Sequence, residues 1–171
     1  MHAAQNLDIQ QGTEMDSATT NELGLTRLWY LIGEWEGTGK SPDFRFRANA
    51  RCEWALNDHF MLLRLDLYDL DTKQLLIAEH HYIYYDRDLN CLVGEIFGLK
   101  GLVEHTIGHA DSRGRMALTT DHMRCVPKGL PFERLRRTTW MMAASQWAFT
   151  IEQDQGQGFV PYLEGQMRRR G

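Results

Sequence analysis

The sequence predicts an all-β protein in which about ten antiparallel strands close into a barrel, with one short N-terminal helix. After Gly33, apolar and polar residues alternate, so that each segment has one core face and one solvent face. Turn-forming residues separate these segments at short, regular intervals. Because no connection is long enough for a crossover, consecutive strands are expected to pair as hairpins, which favours a closed barrel over a sandwich.

The first element is a helix that ends at Gly33. Its apolar residues recur at the spacing of one helical face: Leu25, Leu28, Trp29 and Ile32. Thr20 and Asn21 are its candidate caps. Residues 1–20 are polar and aperiodic, which predicts a disordered tail followed by a single barrel domain over residues 21–171.

The strands follow one another in hairpin order. The first covers residues 33–39, the next two cover residues 44–54 and 61–67, and seven more are predicted near residues 74–85, 90–98, 101–109, 115–122, 132–142, 146–153 and 158–168. Turn chemistry separates most of them, as in Asn57-Asp58, Asp86-Arg87-Asp88, Pro127-Lys128-Gly129 and Gln155-Gly156-Gln157-Gly158.

Composition argues against several classes of protein. The 171-residue chain carries a net charge of −4, which disfavours a nucleic-acid or membrane-surface partner. Its cysteines, Cys52, Cys91 and Cys125, are odd in number and widely spaced. That predicts reduced thiols, no disulfide or zinc frame, and a cytoplasmic protein. The sequence has neither a signal-peptide pattern nor an apolar run of ~18 residues, so no membrane span is expected.

The stretch GEWEGTG (residues 33–39) opens the first strand. At strand spacing, one face carries Gly33, Trp35, Gly37 and Gly39. Glycines allow a strand to bend and a neighbouring backbone to approach a large ring closely. We expect Trp35 to plug one end of the barrel beneath the helix; the alternative is that it lines a ligand cavity.

Helix, then G-x-W-x-G-x-G, then about nine antiparallel strands resembles the calycin-like barrels that include nitrobindin and related uncharacterised bacterial proteins. The motif matches at every fixed position of residues 33–39. Two later stretches resemble the bacterial relatives: residues 55–61 (ALNDHFM), and Tyr84-Tyr85-Asp86 before a turn. The resemblance covers residues 24–169 and implies a barrel of the lipocalin and fatty-acid-binding type.

Resemblance to nitrobindin would imply a b-type haem held by a histidine that directly precedes a leucine on the final strand. Tyr162 occupies that position here, before Leu163. A tyrosinate can hold ferric haem, but its pKa near 10 must then be lowered by a nearby cation, for which Arg134 and Arg136 are the candidates. We therefore expect no cofactor and keep haem at Tyr162 as an alternative.

Ligand-binding residues are predicted from aromatic and polar side chains of the strands. The wall candidates are Trp54, Tyr82, Trp140, Trp147 and Tyr162, with Arg136 or a histidine such as His81 as the polar anchor. If Arg136 points inward, its guanidinium suits a ligand carboxylate. The alternative is that Arg136 lies on an outer face of alternating charge; Arg137 has the opposite phase, shared with Leu135.

No metal or catalytic site is predicted. His80 and His81 point to opposite faces, and His105 and His109 lie ~13 Å apart along a strand, so a metal would need histidines from different strands. The glutamates Glu79, Glu95, Glu104 and Glu133 have no spacing that suggests acid–base chemistry. The sequence carries no G-x-S-x-G, cysteine–histidine or phosphate-loop signature, so an enzyme is not the preferred interpretation.

Three functions stay open, in this order. The first is a barrel that holds a small apolar or amphipathic molecule in its interior. The second is a nitrobindin-like haem protein acting on reactive nitrogen or oxygen species, with Tyr162 as ligand. The third is a barrel filled by its own side chains that serves as a structural or interaction module. A homodimer is compatible with all three.

Overall fold

The predicted barrel is confirmed. A computed structural model describes residues 24–126 and 134–171. It contains ten strands: β1 Gly33–Lys40, β2 Arg45–Ala55, β3 Phe60–Asp69, β4 Leu75–Asp86, β5 Cys91–Gly98, β6 Val103–Ala110, β7 Met116–Cys125, β8 Leu135–Ala143, β9 Gln146–Asp154 and β10 Phe159–Arg169. Each pairs antiparallel with its neighbour in sequence, and β1 pairs with β10 to close the ring. The predicted tail and the predicted turn at 127–129 lie outside the described residues.

A short helical segment precedes β1, as predicted, but its buried face differs from the prediction. Residues 24–26 are α-helical and Trp29–Leu31 form a 3₁₀ turn. Tyr30 and Leu31 are buried, whereas Trp29 is 55% exposed. A 3₁₀ turn has three residues per turn, so the face expected of a 3.6-residue helix does not continue through it. None of the helices in the described part of the chain is long and apolar enough to cross a membrane.

The helical segment packs against one end of the barrel, which we call the helix end. The Trp35 indole is 1% exposed there and donates a hydrogen bond from Nε1 to the Leu31 carbonyl, 2.6 Å away. Trp147 packs edge-on against Trp35, with ring centroids 6.1 Å apart. The Tyr30 hydroxyl donates to the Gly114 carbonyl at 3.0 Å, which ties the segment to the loop before β7. Large side chains therefore fill this half of the barrel. We call the opposite end, where β1 ends and β2 begins, the far end.

The seam between β1 and β10 leaves no room for a side chain at Gly37 and Gly39 of β1, and Gly39 is paired with Gly165 across it. A Cβ atom at Gly39 would lie 2.2 Å from the Glu164 carbonyl oxygen and 2.2 Å from the Phe46 ring. At Gly37 it would lie 2.0 Å from the Gln166 carbonyl oxygen. The glycines of the GEWEGTG stretch thus let the last strand approach the first closely enough to close the ring.

Substituting Gly39→Ala is expected to lower the free energy of unfolding by about 1–3 kcal/mol, because the added methyl group overlaps a backbone carbonyl that cannot move independently. Urea denaturation measures the loss. Gly98→Ala is the matched control, since its new Cβ would meet only the side chain of Leu102, at 3.1 Å. Equal losses in the two variants would contradict the close approach at the seam.

Candidate functional site

A cluster of charged and polar side chains lies inside the barrel. We call it the interior cluster; its members are Glu79 and His81 on β4, Glu104 on β6, Thr120 on β7 and Arg137 on β8. They are between 0% and 6% exposed. The two-residue period of each strand turns them inward together with apolar neighbours such as Ile83 and Leu135, which are also buried. Charged residues are rarely buried unless paired, so this cluster stands out from the apolar core.

Arg137 joins the cluster by bridging two carboxylates. Its Nη2 donates to Glu79 Oε1 at 3.1 Å, and its Nη1 donates to Glu104 Oε1 at 2.9 Å. Thr120 Oγ1 lies in hydrogen-bond contact with Glu104 Oε1 and accepts a bond from the Leu135 backbone N–H at 2.7 Å. One guanidinium therefore connects β4, β6 and β8 through the barrel interior.

His81 extends the cluster from the other oxygen of Glu79. Its Nε2 lies 2.8 Å from Glu79 Oε2. An ionised carboxylate only accepts hydrogen bonds, so we assign the proton to Nε2. The imidazole is therefore held in the cluster through Nε2 by Glu79.

The charges of the cluster are stabilised by each other. Burial raises the pKa of Glu79, but Arg137 and His81 lower it more strongly, so the pKa falls to about 2. Burial lowers the pKa of Arg137, and the charges of Glu79 and Glu104 raise it above its usual value. Both groups are therefore ionised at neutral pH. Buried, mutually perturbed charges are typical of functional sites, although structural ion pairs also produce them.

Four buried polar atoms lack a hydrogen-bond partner among the described residues: Glu104 Oε2, Arg137 Nε, Trp147 Nε1 and Gln153 Oε1. Glu104 Oε2 still lies 2.8 Å from Arg137 Nη1 as an ion pair. Gln153 is paired with Leu135 in the β8–β9 register, while Arg137 is paired with Ile151, so Gln153 and Arg137 are diagonal neighbours on one face. Buried polar atoms normally have hydrogen-bond partners, so a polar ligand or a water molecule could supply the partners that these atoms lack.

Apolar side chains surround the interior cluster toward the far end. This far-end rim consists of Phe44, Ile77, Met123 and Tyr162, which are partly buried and pack against the core. Ile77 precedes Glu79 by one inward position, and Met123 is paired with Glu104 across β6 and β7. A groove of about 280 Å³ outside the rim is lined by Tyr162 and by residues of the loop after β1. The apolar far-end rim thus lies next to the charged interior cluster.

The structure separates the seven predicted ligand-binding residues. His81 and Trp147 lie inside the barrel, and Tyr162 lies at the far-end rim. Trp54 lies at the helix end, in a groove of about 500 Å³ that also includes Trp29. Arg136 lies on the outer face, where its guanidinium forms a bidentate pair with Glu152 at 2.7 and 2.9 Å.

The two remaining aromatic candidates also lie on the outer face. Trp140 stacks beneath the Arg115 guanidinium, 5.5 Å from the ring centroid. Tyr82 is 38% exposed and packs edge-on against Phe97. Of the predicted binding residues, only His81 and Tyr162 come close to Glu79, and ligand binding by any of them stays a prediction.

The surroundings of Tyr162 do not fit a tyrosinate haem ligand. Burial raises its pKa, and the negative charges of Asp43 and Glu79 raise it further. The cations considered for this role point elsewhere: Arg134 lies 3.8 Å from Asp154, and Arg136 pairs with Glu152. Deprotonation of Tyr162 is therefore opposed rather than assisted. Within residues 24–126 and 134–171, no group of three or more histidine, cysteine or acidic side chains is arranged to hold a metal ion.

Sequence reasoning missed Glu79, Glu104 and Arg137 as one site. A signal for Arg137 was present, because it shares its strand phase with the apolar Leu135, whereas Arg136 shares its phase with Arg134. Glu79 likewise shares a phase with His81 and Ile83. No sequence signal places these strands opposite one another across the barrel.

Comparison with known proteins supports the fold. No protein-family model matches this chain, and no curated protein matches it. Among solved structures, the chain is similar to the crystal structure of Rv2717c from M. tuberculosis, with a TM-score of 0.71 and 18% sequence identity. The match covers 86% of this chain and 97% of that one. At this identity, the likeness shows a shared barrel fold alone.

Proposed function

We propose that the protein binds a small amphipathic molecule at the far end of the barrel, with the polar head at the interior cluster and the apolar part against the far-end rim. One observation carries the proposal: the buried guanidinium of Arg137 retains an N–H without a partner within the described chain, in a cluster whose Glu104 is paired with Met123 of the apolar rim. Ligand sites commonly combine an apolar wall with a few convergent polar groups.

The energetics of the cluster favour a role beyond stability. Apolar residues of similar volume often replace a buried ion pair at no cost, so such a pair is weak support for a purely structural role. Each buried polar atom without a partner costs about 1–3 kcal/mol. A bound head group that supplies the missing hydrogen bonds would offset that cost, which gives a ligand a source of affinity beyond hydrophobic contact.

A self-filled barrel is the second candidate, and the aromatic core favours it. Ring contacts of 5.7 to 6.2 Å run from Trp35 at the helix end through Trp147 and Phe149 to Phe46 near the start of β2. The two candidates differ in whether the far end accepts a ligand, so a measurement aimed at the far end separates them. Haem is not part of the proposal.

The proposal keeps four expectations from the sequence: a cytoplasmic location, no enzymatic activity, no nucleic-acid partner and no membrane partner. A homodimer is compatible with the proposal.

Binding of N-phenyl-1-naphthylamine, an uncharged fluorescent probe, tests the proposed site. Ile77→Arg is expected to weaken binding at least about tenfold, because it places a charge in the apolar rim. Trp29→Arg, in the groove at the helix end, is the matched control and should bind as the parent does. Loss of binding in Trp29→Arg alone would mean that the probe binds at the helix end, which would contradict the proposal. A parent protein that binds no probe would favour the self-filled barrel.

A further inference from the structure

We infer that the far-end site takes an amphipathic molecule with an uncharged head that both donates and accepts hydrogen bonds, such as a hydroxyl or amide, and that it rejects a carboxylate. The inference rests on the proposed function and specifies its ligand class. It follows from the charge balance of the interior cluster and from the polar atoms that remain without partners.

The charge balance opposes an anion. The cluster contains two carboxylates, Glu79 and Glu104, and one guanidinium, Arg137. With a neutral His81 the formal charge is −1; a proton on His81 would bring it to zero. In either state, a ligand carboxylate adds a negative charge that no group of the cluster balances. With the cluster at −1, the added carboxylate meets a net like charge, which weakens its binding.

The arginines do not supply a carboxylate site. Both terminal nitrogens of Arg137 already donate to protein carboxylates, and Nε is the guanidinium nitrogen that has no partner among the described residues. Arg136 lies outside the barrel and is paired with Glu152. Bidentate recognition of a carboxylate needs two parallel N–H donors from one guanidinium. Neither arginine therefore has two nitrogens that are free of protein carboxylates for an anionic head.

The atoms without partners match an uncharged head. Arg137 Nε–H is a donor, and Gln153 Oε1, its diagonal neighbour, is an acceptor. A hydroxyl can accept from the first and donate to the second. A carboxylate can only accept, so Gln153 Oε1 would stay unsatisfied. An ammonium can only donate, so Arg137 Nε–H would stay unsatisfied.

Displacement of N-phenyl-1-naphthylamine by ligands of one chain length tests the inference. At pH 7.5, decanol is expected to bind at least tenfold more tightly than decanoate, and more tightly than decylammonium. An ionised acid is also less hydrophobic than an alcohol, so the variants are decisive. Glu79→Gln should reduce the decanol-to-decanoate preference at least about threefold, and the outer-face control Glu152→Gln should leave it unchanged.

A second variant, Gln153→Leu, tests the inference without removing any charge from the interior cluster. Gln153→Leu should weaken decanol several-fold and leave decanoate unchanged, because only the alcohol donates to Gln153 Oε1. A preference for decanoate or decylammonium, or a preference that neither Glu79→Gln nor Gln153→Leu alters, would overturn the inference while the proposed function stands. Failure of the parent protein to bind the probe and decanol alike would overturn both.

Discussion

Substituting Arg137→Met should lower the free energy of unfolding by about 3–5 kcal/mol, as expected when one partner of a buried ion pair is removed. Both carboxylates that Arg137 bridges, Glu79 and Glu104, are buried, with side chains 7% and 0% exposed. Methionine fills much of the same volume without a charge. The two carboxylates would then have to remain charged without a cation, or take up protons, and either outcome costs free energy.

The neighbouring residue supplies a matched control for this variant. Arg136→Met removes an arginine one position away, on the opposite face, where the side chain is 40% exposed. We expect a loss of less than about 1 kcal/mol, the usual range for exposed ion pairs. Urea denaturation of both variants gives the comparison. Similar losses for the two would mean that the interior cluster does not depend on its cation.

Stability should also fall in acid because of Glu79. Its pKa is about 2 in the folded protein, against a usual value of 4.5. A lowered pKa in the folded state stabilises the protein fully above the unfolded pKa, and the gain disappears as the pH falls toward the folded one. The contribution, of the order of 3 kcal/mol, is therefore present above about pH 5.5 and lost progressively toward pH 2.

A pH series of urea unfolding in the parent and in Glu79→Gln measures this contribution. Glutamine cannot titrate, so the gap in unfolding free energy between the two proteins should shrink as the pH falls from 7 to 3. Exposed carboxylates with lowered pKa values, such as Asp69 and Asp111, titrate in both proteins and cancel in the comparison. A gap that does not change with pH would show that Glu79 is not held ionised by its neighbours.

The strands of this protein could be predicted because alternation and turn chemistry are local. The segment from Phe46 to Trp54, for instance, shows its core face in the sequence and buries that face in the structure. The role of the glycines in the GEWEGTG stretch could also be predicted locally, because the close approach of a neighbouring strand requires only that a side chain be absent. The helical segment was less predictable, because tertiary packing decided that Tyr30 rather than Trp29 would be buried.

The candidate site depends on pairings that no local pattern contains. Arg137 contacts Glu104 and Glu79, which lie 33 and 58 residues earlier in the chain. Alternation defines two faces for β8 but does not state which is inside when both carry charge. The sequence favoured Arg137 as the inward residue only through its shared phase with the apolar Leu135, and the register with β9 fixes that orientation.

The seam between β1 and β10 has a consequence for synthesis of the chain. Nine strand pairings join consecutive strands, but Glu36 on β1 meets Arg168 on β10, 132 residues later. At translation rates of ~5–20 residues per second, roughly 7–26 seconds pass between the synthesis of β1 and the synthesis of β10, its second pairing partner. During that time its free edge can template pairing with other nascent chains, a hazard that charged side chains such as Glu36 and Lys40 reduce. Closure of the ring thus removes the last free strand edges of the barrel.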